Sequence, residues 1–249
     1  MQTRLWLDIL PQPDDVTCGP TCLHAIYRYY GDVMPLPQLI AETPQLKRGG
    51  TLAVLLACHA LRRGYKATIY TYNLHMFDPT WFNPLVRNLP DRLKAQATEA
   101  GKPSRIRQAT RWYLEFLALG GKLRFEDLTA ALIQRYLKRG VPILTGLSAT
   151  YLYRTAREYG VNSDYDDVRG EPAGHFVVLS GYDKKKHEVT VADPLEHNPV
   201  ASTRYYAVKI NRALGAILLG IITHDANLLI IEPEVAQSGR KHARTHRRK

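Results

Sequence analysis

The chain has 249 residues, of which 45% are hydrophobic and 23% are charged. This is ordinary globular usage, and it excludes an intrinsically disordered chain, a collagen-like repeat and a disulfide-dense mini-protein. The formal net charge is +11, which raises the question of a polyanionic partner.

The positive charge is concentrated in two segments. Residues 240–249 hold six Lys and Arg and no acidic residue, and residues 85–125 hold nine basic and three acidic residues. The rest of the chain is close to neutral. We therefore interpret the charge as an addition to a neutral body, and we expect residues 237–249 to form a basic, disordered tail.

Cysteine usage and hydropathy indicate the compartment. The three cysteines, Cys18, Cys22 and Cys58, are too few for a secreted disulfide framework. The N-terminus lacks the apolar stretch of a signal peptide, and the chain has no apolar run of about 18 residues, the length that a membrane span requires. We therefore expect a soluble, cytoplasmic protein without a membrane span.

The first half of the chain has mainly helical patterns. Apolar residues at helical spacing, with glycines near several of the ends, mark these segments. The predicted helices cover residues 18–30, 35–43, 52–63, 91–100, 104–119 and 127–138. One β-rich, alternating segment predicts a strand over residues 66–72.

The second half is rich in strand patterns. The predicted strands cover residues 141–147, 175–182, 188–193, 205–209 and 227–232, and the predicted helices cover residues 149–158 and 211–222. An acidic loop is predicted over residues 162–167. Helices followed by an antiparallel sheet predict an α+β fold.

Cys18 lies where the first predicted helix begins. Backbone N–H groups at a helix N-terminus stabilise a thiolate. Gln12, six residues earlier, offers a side-chain amide donor. Together with the backbone N–H of Cys18, it would form an oxyanion hole. Gly19 is expected to let another backbone approach closely.

His175 and Asp193 lie on two adjacent predicted strands. His175 opens the first strand and Asp193 closes the second. If the two strands form a hairpin, their even separation places both side chains on one face at its open end. A carboxylate there orients the imidazole, as in a Cys–His–Asp triad.

The combined pattern resembles a known family. The motifs are Gln12 to Cys22 (QPDDVTCGPTC), Gly174 to Tyr182 (GHFVVLSGY) and Val191 to Pro194 (VADP). They are similar to the active-site motifs of the double-glycine leader peptidases, a bacterial, bacteriocin-processing family of papain-like cysteine peptidases. The resemblance covers about residues 8–72, 128–147, 174–200 and 226–233.

The resemblance implies a papain-like fold with N-terminal helices packed on a C-terminal antiparallel sheet. It implies that Cys18 is the nucleophile, His175 the general base and acid, Asp193 the residue that orients His175, and Gln12 the oxyanion donor. Hydrolysis of a peptide or other acyl bond through a thioester follows, with no metal and no cofactor. The implied partner is a peptide or protein substrate, and the chain is expected to be a soluble, stand-alone relative.

The chain also departs from the compact family pattern. We expect a single domain over residues 1–236 that carries two insertions. A helical, basic insertion covers about residues 75–125, and a lid-like insertion covers about residues 148–173, just before His175. Both would reshape the choice of substrate.

Several alternatives stay open from the residues alone. The same triad supports acyl or peptidyl transfer, and a non-catalytic module would bind a peptide, or a nucleic acid through the basic insertion. We do not expect nucleic acid as a partner, because the basic helix has an apolar face of core type. A zinc site from Cys18, Cys22, His24 and Cys58 or His59 is less consistent with their helical positions. The oligomeric state is not indicated.

Overall fold

A computed structural model describes residues 2–46, 49–83, 88–223 and 225–234. The predicted basic tail, residues 237–249, lies outside the described residues. The helices are α1 (Cys18–Tyr29), α2 (Leu36–Glu42), α3 (Ala53–Arg62), α4 (Leu89–Thr98), α5 (Ser104–Ala118), α6 (Ala130–Leu137), α7 (Ala149–Tyr153) and α8 (Ile210–Leu219).

Every predicted strand is present, and four further short strands were not predicted. They are β1 (Gln2–Arg4), β2 (Tyr65–Thr71), β3 (Lys122–Arg124), β4 (Ile143–Ser148), β5 (Glu158–Tyr159), β6 (Asp164–Tyr165), β7 (Gly174–Asp183), β8 (Glu188–Ala192), β9 (Tyr205–Lys209) and β10 (Asn227–Pro233). Eight of them form one sheet in the order β3-β2-β10-β4-β7-β8-β9, with β1 paired to β7. The pairs in this sheet are antiparallel except β2–β3, which is parallel.

The centre of the sheet is buried on both faces. In β7, Phe176 and Val178 belong to the core shared with α1 and α3, whereas Val177 and Leu179 belong to the core shared with α6 and α8. Successive strand residues point to opposite faces, so two covered faces require a continuous apolar run. This explains the unbroken apolar sequence that follows His175. Helices packed on a mainly antiparallel sheet confirm the predicted α+β fold class.

The predicted helix over residues 149–158 is wrong in length. Helix α7 ends at Tyr153, because Arg154 adopts a left-handed backbone conformation with φ of 59°. Strands β5 and β6 then form a short hairpin where a helix end and an acidic loop were predicted. The segment after β4 therefore consists of one short helix and one small hairpin.

The basic segment around residues 85–125 contains α4, α5 and β3. Helix α5 packs against α3, and it buries Ile106, Tyr113 and Phe116, while Arg107 and Arg111 are exposed. Strand β3 was not predicted; it adds to the edge of the sheet beside β2. None of the helices in the described ranges is long and apolar enough to cross a bilayer.

Candidate active site

Cys18 is the first residue of α1 and is 8% exposed. The preceding Thr17 does not cap the helix, because its hydroxyl bonds the backbone N–H and carbonyl of Asp14 at 3.3 and 3.2 Å. Pro20 has no N–H, so Cys18 and Gly19 supply the first backbone donors of the helix. The sulfur thus lies at an uncapped helix N-terminus, as its sequence position predicts.

His175 and Asp193 are in direct contact. Nε2 of His175 lies 2.8 Å from Oδ1 of Asp193. The strand register accounts for this, since Val178 pairs with Ala192 and Asp193 therefore lies diagonally opposite His175. The carboxylate only accepts hydrogen bonds, so Nε2 carries a hydrogen and Nδ1 remains for the thiol.

The neighbours of His175 favour its charged form. Burial acts to lower the pKa of the imidazole, but the Asp193 carboxylate, with a further hydrogen bond and charge from Cys18, raises that pKa to about 10. Burial also acts to raise the pKa of Asp193, yet the charge of His175 and the hydrogen bonds to the carboxylate hold it below its ordinary value. A charged imidazole is the kind of neighbour that stabilises a thiolate nucleophile.

Two tyrosines complete the surroundings of Asp193, and sequence reasoning missed both. Oδ2 of the fully buried carboxylate accepts hydrogen bonds from the hydroxyls of Tyr153 at 2.8 Å and Tyr206 at 2.6 Å. Tyr153 ends α7, and Tyr206 lies in β9. The chain contains 15 tyrosines, and no motif or spacing distinguishes these two.

Gln12 lies in a loop that is fixed at both ends. Its backbone N–H donates to the carbonyl of Pro194 at 2.9 Å, directly after Asp193. Its side-chain Nε2 donates to the carbonyl of Asp14 at 2.8 Å. Its Oε1 is buried without a hydrogen-bond partner among the described residues. The loop therefore connects the predicted oxyanion donor to both the Cys18 segment and the Asp193 segment.

Gly19 allows side chains, rather than another backbone, to approach the start of α1. A Cβ atom there would lie 2.6 Å from Cγ2 of Thr51 and 3.3 Å from a ring carbon of Phe176. Thr51 precedes α3 and Phe176 follows His175. The residue after the nucleophile is thus packed tightly between two segments of the site.

The other two cysteines are core residues. Cys22 donates to the carbonyl of Phe176 at 3.3 Å, and burial, followed by the charges of Cys18 and Asp193, raises the pKa of its thiol. Burial raises the pKa of the Cys58 thiol to about 12. The described ranges bring together no group of three His, Cys, Asp or Glu side chains suited to a metal ion, so the zinc alternative lacks a ligand set there.

The chain is similar to several solved structures. Three solved structures share 14%, 14% and 12% identity with it: a double glycine motif protease from an AMS/PCAT transporter in complex with the leader peptide, a C39-like peptidase from Bacillus anthracis, and xylellain, a cysteine protease from Xylella fastidiosa. They cover 94% of this chain in each case and 99%, 98% and 86% of their own chains, with TM-scores of 0.44, 0.47 and 0.43. No curated protein matches the chain in sequence.

The sequence itself matches a family model over most of its length. Residues 5–213 match the model described as the Peptidase_C39 like family. The match includes the segments of Gln12, Cys18, His175 and Asp193. This chain belongs to the Peptidase_C39-like family of cysteine-type peptidases.

Proposed function

We propose that the protein hydrolyses peptide bonds through a thioester on Cys18, with His175 as the base and acid and Asp193 as the residue that orients His175. The observation that carries the proposal is the buried His175–Asp193 pair, with Nε2 and Oδ1 2.8 Å apart, beside a cysteine at an uncapped helix start. The family supports a cysteine-type peptidase. The substrate class is a peptide or a protein.

The proposed hydrolysis depends on the proton that His175 holds on Nδ1. The Cys18 thiolate attacks the carbonyl carbon, and Nδ1–H of His175 gives its proton to the leaving amine as the C–N bond breaks. The acyl group is then a thioester. Water gives a proton to Nδ1 as its oxygen attacks the thioester carbon. The C–S bond then breaks, which releases the acid and restores the thiolate–imidazolium pair.

Gln12 is proposed to stabilise the oxyanion of each tetrahedral intermediate. A side-chain amide has two N–H groups, and one N–H of Gln12 goes to the carbonyl of Asp14. The second is left for the substrate oxygen, together with the backbone N–H of Cys18. Because the loop is already fixed, Gln12 does not have to move when negative charge develops on the substrate oxygen.

A peptide-library digest tests the proposal and identifies the substrate together. Wild type is compared with Cys18→Ala, and Cys58→Ala serves as a control that removes a buried thiol next to the backbone of α5. We expect cleavage by wild type and Cys58→Ala and none by Cys18→Ala. Equal cleavage by wild type and Cys18→Ala would contradict the proposed nucleophile.

Alkylation tests the same cysteine without a substrate. We predict that iodoacetamide modifies Cys18 first at neutral pH, because raised pKa values keep the thiols of Cys22 and Cys58 protonated. Peptide mapping by mass spectrometry measures the rate at each site. Equal rates at the three thiols of the folded protein would speak against a thiolate–imidazolium pair.

A further inference from the structure

We propose that Tyr153 and Tyr206 are positioning residues that keep Asp193 ionised and hold its Oδ1 toward His175. This inference rests on the proposed function, because it concerns the carboxylate that orients the proposed base. It adds two residues from separate elements to the machinery, neither of which belongs to the motifs around Cys18, His175 or Asp193.

The need for additional donors follows from the burial of Asp193. The residue is 0% exposed, and a buried carboxylate is stable as an anion only when its lone pairs are satisfied. Oδ1 accepts from Nε2 of His175 at 2.8 Å and from the backbone N–H of Leu195 at 2.9 Å. Oδ2 accepts from the hydroxyls of the two tyrosines. Without them it would be an unsatisfied buried oxygen.

The direction of both tyrosine bonds is fixed by chemistry. An ionised carboxylate only accepts, so each phenol donates its hydrogen. Burial, followed by the charge of Asp193, raises the pKa of Tyr153 and of Tyr206 far above the physiological range. Both hydroxyls therefore stay protonated, and they remain donors at every pH at which the enzyme works.

The two tyrosines approach from different elements. In the sheet β7 has β4 on one side and β8 on the other, and β9 lies beyond β8. Tyr153 comes from α7, directly after β4, and Tyr206 comes from β9. Two donors on one oxygen oppose rotation of the carboxyl group about its Cβ–Cγ bond. Oδ1 thereby keeps its alignment with the imidazole, which preserves the geometry that proton transfer requires.

Tyr153 also lies beside the imidazole. Its ring centroid lies 6.1 Å from that of His175, with the planes tilted by 53°. The helix that carries Tyr153 is held in place by the Ser148 hydroxyl, which accepts from the N–H of Tyr151, and by the Thr150 hydroxyl, which accepts from the N–H of Ala173. The segment between β4 and β7 thus contacts the proposed triad through both the hydroxyl and the ring of Tyr153.

The test uses iodoacetamide as the probe, so it needs no substrate. The rate of Cys18 alkylation is measured from pH 3 to pH 10 in wild type, Tyr153→Phe, Tyr206→Phe and the double variant, with the pH range set by the ordinary values of carboxyl and imidazole groups. Losing a hydrogen-bond donor raises the pKa of Asp193, so this carboxylate is protonated more readily at low pH. A protonated Asp193 no longer stabilises the imidazolium of His175, and the fraction of Cys18 thiolate falls with it. We expect the low-pH limb of the rate profile to shift to higher pH. On that limb the rate should fall about tenfold for each single variant, which is typical of the loss of a hydrogen bond to a charged group, and it should fall further for the double variant.

A matched control separates this effect from the loss of any buried tyrosine hydroxyl. Tyr72→Phe also removes a buried hydroxyl, one that has no hydrogen-bond partner among the described residues. We expect its alkylation profile to match wild type. Unchanged profiles in the folded Tyr153→Phe and Tyr206→Phe proteins would overturn the inference.

Two further readouts keep the outcome unambiguous. If the variants fail to fold, NMR of wild type decides, because hydroxyl protons held against Asp193 exchange slowly, and rapid exchange of both would overturn the inference. Peptide cleavage separates the two proposals: if Cys18→Ala is inactive while both tyrosine variants keep wild-type pH profiles, only the inference fails. Equal activity of wild type and Cys18→Ala contradicts the proposed function instead.

Discussion

Among the described residues, two histidines with buried side chains each contact a carboxylate, and their surroundings favour opposite charge states. His175 contacts Asp193, and its pKa is raised to about 10. Nε2 of His59 lies 3.1 Å from Oε2 of Glu42, yet the pKa of His59 is lowered. A histidine beside a carboxylate is therefore not in itself a charged pair.

The difference arises from the burial of the carboxylate and from the second partner of each ring. Asp193 is fully buried, whereas the Glu42 side chain is 46% exposed, so water screens its charge. Nδ1 of His59 accepts from the neutral hydroxyl of Tyr27 at 2.8 Å. Burial is the largest effect on His59, and the nearby charges of Arg63 and Arg62 disfavour its protonation further. His59 is thus a neutral structural residue.

The largest effect that separates the two pairs is expected in catalysis. We predict that Asp193→Asn lowers kcat/KM by roughly 10²- to 10⁴-fold, because an amide no longer stabilises the imidazolium or fixes its tautomer. The matched substitution Glu42→Gln should change kcat/KM less than about twofold, since the proposed chemistry does not involve His59. Both are assayed on a peptide found in the library digest. Similar losses in the two variants would remove the distinction between the pairs.

The pH dependence of stability should have opposite signs for the two histidines. The pKa of His175 is raised from 6.5 to about 10 on folding, so its contribution is complete below pH 6.5 and is lost as the pH rises toward 10. The pKa of His59 is lowered from 6.5, so its contribution is present above pH 6.5 and is lost as the pH falls. NMR titration of the ring protons and urea unfolding at several pH values measure both. Two rings that titrate together would contradict this difference.

The sequence was sufficient to locate the triad candidates, because each lies at a position that local patterns define. Cys18 begins a helix whose periodicity is visible, and His175 and Asp193 lie at the ends of two β-rich runs that pair across a short turn. The contact between them also needs a register shift between Leu179 and Gly181, which brings Val178 opposite Ala192 and which side-chain alternation alone does not predict. The same local logic predicted the order of helices and strands.

The residues that sequence reasoning missed depend on contacts between distant segments. Tyr153 is 40 residues from Asp193, and Tyr206 comes from a neighbouring strand on which it is one of two adjacent tyrosines. The length of α7 was overestimated because a left-handed residue at Arg154, which carries no glycine signal, ends it. Likewise, strand β3 is three residues long and depends on its pairing with β2. Tertiary contacts decide such features, and local propensity does not.

The smallest expected effect concerns stability at the structural histidine. We predict that His59→Leu lowers the free energy of unfolding by about 1–3 kcal/mol, because the fully buried hydroxyl of Tyr27 loses its acceptor. Glu42→Gln should cost clearly less, since the Glu42 side chain is 46% exposed and water screens its charge. Urea unfolding at pH 7.5, where His59 is neutral in both folded and unfolded states by its ordinary pKa, measures the difference without a titration effect. If Glu42→Gln costs as much as His59→Leu, then the carboxylate, rather than the tyrosine, supports this histidine, and the two pairs are more alike than their burial indicates.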